Sequence, residues 1–252
     1  MKLFIISDIH GFYDEIIEAL KKAGFDKNNP NHLLIGLGDY WDRGLKPKQV
    51  MDYLLSLPNK VLIKGNHEDL IIDLCRRKFT KSHDYSNGTV LTLGALSPDA
   101  NSYKELFENG LKLSEEFQAD MKDYFETSNY IFVHGWIPVN ITSKDDNVND
   151  TNWRNSDKIA WKEARWSNGI DMANAGLIEP NKTIVCGHYH CSYGHYLDKL
   201  KNKEDVSEDW QYNENAIWDP YYGNGIIAID RCTAITGKVN VLILEDELLE
   251  KD

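Results

Sequence analysis

Five short apolar segments each run into a cluster of polar, chemistry-bearing residues: "KLFIIS" before "DIHG", "HLLIGL" before "GDYWDRG", "KVLIK" before "GNHED", "YIFV" before "HGWIP" and "TIVC" before "GHYH". Apolar runs this short, bounded by glycine-rich turns, suit buried strands. Between the first three lie helical patterns. Ile16, Ile17, Leu20 and Ala23 fall on one face and stop at Gly24, and Pro47 marks a helix start leading into "KQVMDYLLSL". Strands alternating with helices pair in parallel through crossovers, so the chain reads as α/β. In open α/β sheets, ligands collect at the carboxyl ends of the strands, where loops converge on a rigid frame. All five polar clusters fall at such ends.

Two stretches break the alternation. Residues 79–129 carry a loop, "TKSHDYSNGTV", then two predicted helices, the second with Ser114 as N-cap and Phe117, Met121, Tyr124 and Phe125 on one face. Residues 139–181 are polar and weakly patterned, rich in Asn, Asp and Trp. Both read as insertions over the strand ends, the first a helical lid and the second a loop-rich wall. At the end of the chain, "GIIAID" and "KVNVLILE", joined by "RCTAITG", read as a β-hairpin in a second sheet packed on the first. With 252 residues and 42% hydrophobic content, residues 1–252 suffice for one large domain with a substantial core.

Some function classes are disfavoured at this level. No apolar run approaches the roughly 20 residues of a membrane span, and "MKLFIISDIHG" reads as a first strand rather than a secretory signal, so the expected location is cytoplasmic. Cys75, Cys186, Cys191 and Cys232 are scattered and expected as free thiols. A net charge of −12 argues against stable nucleic-acid binding. Oligomeric state is not encoded in any pattern found.

Asp8 and His10 lie two apart at the end of an extended segment, so both can point to one side. With Asp39, Asn66, His134, His188 and His190 they form a set of carboxylate, amide and imidazole groups suited to transition-metal or similar divalent ions rather than calcium. Two ions sharing a carboxylate about 4 Å apart would make a nucleophile of water near neutral pH, the device that phosphate ester hydrolysis needs.

On these blocks, Asp8-Ile9-His10-Gly11, Gly38 to Gly44, Gly65-Asn66-His67-Glu68, His134-Gly135 and Gly187-His188, the chain resembles the calcineurin-like metallophosphoesterase superfamily. Within it, "GDYWDRG" resembles the bacterial and phage-type serine/threonine protein phosphatase branch. The resemblance implies a four-layer α/β/β/α sandwich of two mixed sheets flanked by helices. It also implies two divalent ions, manganese before iron, zinc or nickel. Asp8 and His10 would bind the first ion, Asp39 would bridge, and Asn66, His134 and His188 would bind the second. A metal-bridging hydroxide would attack, His67 would be the general acid oriented by Asp42, and Arg43 would clamp the phosphate, with Asn66 also near the substrate. These roles agree with the residues' chemistry: a carboxylate raises imidazole basicity, and a guanidinium grips two phosphate oxygens.

Departures from the pattern leave alternatives open. His190 fits the wider superfamily's Gly-His-x-His and stands between a ligand of the first metal and a structural histidine. Arg165, in "KEARWSNG", falls where a second phosphate-binding arginine is often found, against a plain salt bridge. Trp136 could narrow the cleft. "WDPYYGNG" and "NWRNSDKIAW" could stack on a nucleobase or pack between loops. The expected reaction is hydrolysis of a phosphomonoester, foremost phosphoserine or phosphothreonine in a phosphorylated protein. The alternatives are a diadenosine tetraphosphatase or other nucleotide hydrolase, and, in another class, a noncatalytic metal-dependent binding module.

Overall fold

A computed structural model describes residues 1–141, 147–148 and 152–249. In chain order its strands are β1 (Lys2–Ile6), β2 (His32–Gly36), β3 (Lys60–Leu62), β4 (Phe125–Glu126), β5 (Tyr130–Phe132), β6 (Asn140–Ile141), β7 (Asn147–Val148), β8 (Thr183–His190), β9 (Tyr221–Gly223), β10 (Ile226–Asp230) and β11 (Leu242–Glu245). The helices are α1 (Tyr13–Ala23), α2 (Pro47–Ser56), α3 (Asn66–Arg77), α4 (Ser82–Ser86), α5 (Thr89–Leu96), α6 (Tyr103–Gln118), α7 (Lys158–Ala164), α8 (Gly169–Asn174), α9 (Cys191–Lys201) and α10 (Thr233–Thr236).

Two mixed sheets form the centre. One runs β11-β1-β2-β3, with β1, β2 and β3 parallel and β11 antiparallel to β1; the other runs β4-β5-β8-β10-β9, with β5, β8 and β10 parallel. Alternation along each strand sends side chains to opposite faces. Leu3, Ile5, Leu33 and Ile35 meet Phe132, Val185, Ile227 and Ile229 between the sheets. Phe4, Ile6 and Leu34 face the other way, onto α1 and α2 through Ile16, Leu20, Val50 and Leu54, while Ile131, Ile184 and Ala228 face α7 and α8 through Trp161, Ala164 and Ile170. The result is the expected four layers, helix, sheet, sheet, helix.

The expected helices α1 and α2 form where the periodicity put them: Gly24 closes α1 in the left-handed region at φ 78°, and Pro47 opens α2. Elsewhere the structure corrects the sequence reading. "TKSHDYSNGTV" is not a plain loop but contains α4 and the start of α5. Ser114 is no N-cap: it lies inside the 16-residue helix α6, whose cap is Ser102, with a side chain that accepts from the Glu105 N–H. The helix ends at Gln118, and Phe125 opens a strand instead of continuing it. The terminal hairpin does not form either. β10 sits in the second sheet while β11 crosses to pair antiparallel with β1 in the first. A left-handed Cys232, φ 53°, and the turn of α10 redirect the chain between them. The stretch 139–181 contains two short helices, α7 and α8, capped by Asp157 and Asn168; residues 142–146 and 149–151 of it lie outside the described residues.

Candidate active site

The five polar clusters converge at one edge of the two sheets, and backbone strain marks the place. Among the described residues, ten non-glycine residues have positive φ, and six belong to the expected site: Asp8, His10, Asp39, Asp42, Arg43 and His188. Each such residue costs about 1 kcal/mol, and strain of this kind persists where surrounding contacts over-determine it. Two motif glycines are required by close approach. At Gly38, φ 99°, a Cβ would lie 2.5 Å from the Gly65 backbone nitrogen, and at Gly187 it would collide with the Ser7 hydroxyl and the Asp8 carboxylate.

Asp39 is the hub. The ligand atoms of His10, Asp39 and His67 lie within 4.8 Å of one another, and so do those of Asp39, His134 and His188. The Asp39 carboxylate is 3.4 Å from His134 Nε2 and 3.8 Å from both His10 Nε2 and His67 Nε2. Burial opposes its ionisation, but the imidazoles of His134, His67, His10 and His188 outweigh it and hold the carboxyl far below its usual range. Asp8 lies 4.0 Å from His10 Nε2 and accepts from Ser7 Oγ and from the His188 N–H. Asn66 Oδ1 sits 2.8 Å from His134 Nε2 and 3.1 Å from His188 Nδ1, so all six of Asp8, His10, Asp39, Asn66, His134 and His188 are brought together.

The donor set fits divalent metal. Three imidazoles are each tied to a backbone carbonyl: His10 Nδ1 to Trp41 O at 2.9 Å, His134 Nδ1 to Leu37 O at 2.7 Å, and His188 to Trp166 O. That arrangement fixes each tautomer and leaves the other ring nitrogen free to accept an ion. Burial presses His10 well below its ordinary pKa and His188 down to about 4, so both are neutral, as ligands must be.

His67 differs from these rings. Its Nδ1 is 2.7 Å from Asp42 Oδ2, and Asp42 also accepts from Thr89 Oγ1 at 2.8 Å and Thr92 Oγ1 at 2.9 Å. Burial would lower the His67 pKa, but Asp39 and Asp42 outweigh it and raise it to about 9, so the ring carries its proton. Arg43 is exposed, and among the described residues its guanidinium makes no ion pair.

Two expected residues come out differently. Arg165 is buried, and its guanidinium is consumed by carboxylates: Nε and Nη2 reach Asp69 at 3.1 and 3.0 Å, and Nη1 reaches Asp123 at 2.7 Å. These pairs pin the end of α7 to α3. His190 is a member of neither metal-competent group; its Nε2 meets Tyr212 Oη at 3.1 Å, its ring packs among Tyr189, Tyr212 and Trp218, and burial lowers its pKa to about 4. Its Nδ1 is buried without a partner. Trp136 does not narrow the cleft: it is 1% exposed in the core, donating to Leu177 O at 3.0 Å.

Sequence reasoning missed four supporting residues. Glu68 accepts from the Asp39, Tyr40 and Gly65 N–H groups at 2.9, 3.0 and 2.8 Å, clamping the second cluster to the third; burial, then Asp39, push its pKa up to about 7. Thr89 and Thr92 lie in the insertion, where no local pattern announces them. Asp230 ends β10 in register with His190, and burial and then Asp8 raise its pKa well above the usual range. An acid closing the strand pattern "IAID" was the signal available.

Two mixed sheets between helical layers, with carboxylates and imidazoles gathered at the strand ends, make a metal-competent site on an α/β/β/α sandwich. The sequence model of the calcineurin-like phosphoesterases matches residues 1–220, and the chain belongs to that family. It is 28% identical over 152 residues, 54% of the chain and 58% of the relative, to a bis(5′-nucleosyl)-tetraphosphatase PrpE [asymmetrical] of Halalkalibacterium halodurans. To the protein of the same name from Bacillus subtilis it is 30% identical over 142 residues, 53% of the chain and 57% of the relative. The match thus spans little more than half the length of these curated relatives. The cold-active protein-tyrosine phosphatase of a psychrophilic Shewanella sp. shares the fold at a TM-score of 0.54 and 18% identity, over 97% of this chain and 75% of that one. No helix among the described residues is long and apolar enough to cross a membrane.

Proposed function

We propose that the chain hydrolyses phosphoesters or phosphoanhydrides at a dinuclear metal centre, with a nucleoside polyphosphate as the first substrate class. The observation that carries the reading is the convergence on Asp39 of two metal-competent groups, with an unpaired, exposed Arg43 beside them. Asp8, His10, Asp39, Asn66, His134 and His188 are assigned as the metal-holding residues. Two bound divalent ions, with manganese the first to try, would supply charge neutralisation and a water deprotonated near neutral pH.

The chain's own residues supply the rest. Arg43, free of carboxylates, can grip two phosphate oxygens and stabilise charge as it develops. Protonated His67, held by Asp42, is placed to deliver its proton to the leaving oxygen. Helices α4 to α6 reach the site through Thr89 and Thr92, and the Arg43 N–H donates to Asn87 O at 3.0 Å, so the helical insertion is assigned as the wall beside the clamp.

The nucleotide class is supported by the similarity to bis(5′-nucleosyl)-tetraphosphatases. A second reading, a serine/threonine protein phosphatase, is supported by the Asp42-Arg43-Gly44 end of the second cluster and by the open position of Arg43. One panel separates them: phosphate and nucleotide release by manganese-loaded protein from diadenosine tetraphosphate and from phosphoserine and phosphothreonine peptides, with Asp39→Asn as blank. Turnover of the dinucleotide ahead of the peptides is expected. Phosphate from the peptides alone would replace the nucleotide reading with the phosphoprotein one. Stoichiometric metal with no turnover on any member would replace both with a noncatalytic binding module.

A further inference from the structure

Seven tryptophans occur in the chain, and five, Trp41, Trp136, Trp153, Trp161 and Trp210, are buried. Trp166 is 50% exposed. Leaving half an indole in water forgoes burial energy of about 1 kcal/mol or more, and the ring is not adrift on a loose loop. Its backbone carbonyl accepts the hydrogen bond that orients His188, and its ring stands 6.0 Å from the His188 ring at 83°. Arg165, the residue before it, is locked to Asp69 and Asp123. The Trp166 backbone is therefore anchored at the rim of the metal-competent cluster next to Arg165, with its exposed indole edge-on to His188.

From this placement we infer that Trp166 is a specificity-determining residue: its indole is a stacking platform for the nucleobase of a nucleotide whose phosphate lies at Asp39 and Arg43. The inference rests on the nucleotide reading above and deepens it. A rigid aromatic face has a rotamer already chosen, so stacking costs little ordering entropy. Base stacking on an aromatic side chain tolerates any base, because every base has a π-face. Of the aromatic residues singled out from sequence, Trp153, Trp161 and Tyr221 are buried in the core under the second sheet, Trp218 is half-buried against the His190 ring, and Tyr222 is exposed on the edge strand β9. Tyr212, 52% exposed, and Trp218, both packed on the His190 ring, are rival platforms near the strand ends.

The test compares two ligands that resist cleavage at their bridge: methylenebisphosphonate, which has no ring, and its adenosine ester. Titration calorimetry on manganese-loaded protein gives a dissociation constant for each without requiring turnover. The wild-type protein is expected to bind the adenosine ester more tightly. Trp166→Ala is expected to lose about five- to hundred-fold of that preference, Trp166→Phe to keep most of it, and Tyr212→Ala to leave it intact. Equal binding of the two ligands by the wild type would overturn the inference. So would an equal weakening of both in Trp166→Ala, which would mean that the indole only supports His188, or loss of the preference in Tyr212→Ala instead. A Trp166-dependent preference in a protein that nevertheless fails to cleave diadenosine tetraphosphate would uphold the platform and sink the proposed reaction.

Discussion

His67 and its neighbours set apart two kinds of imidazole that the sequence writes with the same letter. His10 and His188 are buried against carbonyls and stay neutral, whereas His67 is buried against two carboxylates and keeps its proton. The difference predicts a leaving-group effect. His67→Asn should slow hydrolysis of alkyl phosphates by about 10²-fold or more, while aryl phosphates, whose leaving groups need little protonation, should lose far less. Equal losses on both, measured as kcat at saturating metal, would remove the acid role. Asp39→Asn should abolish turnover and lower the metal stoichiometry read by mass spectrometry or atomic emission, since this carboxylate belongs to both metal-competent groups. Arg165→Met predicts a stability cost instead. It leaves Asp69 and Asp123 without their shared cation, though Lys64 still reaches Asp69 at 2.7 Å, so about 2–3 kcal/mol should be lost in urea denaturation.

At the scale of elements, strand ends were legible and helix partners were not. A strand's apolar run followed by Gly and a polar cluster is a local signal, which is why Asp8, His10, Asp39, Asn66, His134 and His188 could be picked out before any fold was known. Arg165 could not be settled that way, because its partners Asp69 and Asp123 lie 96 and 42 residues away. The terminal hairpin failed for a similar reason: two adjacent strand patterns say nothing about which sheet each enters, and β11 finds its partner in β1. Ser114 was misread because Ser is a frequent cap, yet here it is buried inside α6 under tertiary packing. The insertion's contact with the site yields a further prediction. Thr89→Val with Thr92→Val removes both hydroxyl donors to Asp42 and should lower kcat about tenfold with little change in KM. A matching rise in KM would point to a collapsed wall rather than a misplaced acid.

Across the whole molecule, the two sheets are fastened by a carboxylate as well as by their apolar layer. Asp246, just past β11 of the first sheet, accepts from the backbone N–H of Asn129 at 2.9 Å and from its side-chain amide at 2.7 Å, in the turn joining β4 to β5 of the second. Burial works against its ionisation, but the neighbouring Thr127 hydroxyl and hydrogen bonds from Asn129 and the Glu247 N–H prevail and hold its pKa below the ordinary carboxylate value. The sign follows from that depression. The link contributes above the unfolded-state pKa and is lost as pH falls through the depressed folded value. Asp246→Ala should therefore cost about 1–2 kcal/mol near pH 7 and less at acid pH, compared by urea denaturation at the two pH values. A penalty that is the same at both would mean that packing, not charge, makes the link.

The pairing of β1 with β11 joins Lys2 to Glu245, nearly the full span of the chain. On the ribosome, β1 emerges long before β11, and one of its edges has no partner until β11 has been made. A growing chain thus carries an open strand edge beside residues destined for the active site throughout its synthesis, the condition under which unfinished proteins stick to one another. The order of manufacture, and not only the finished contacts, sets when this molecule becomes safe.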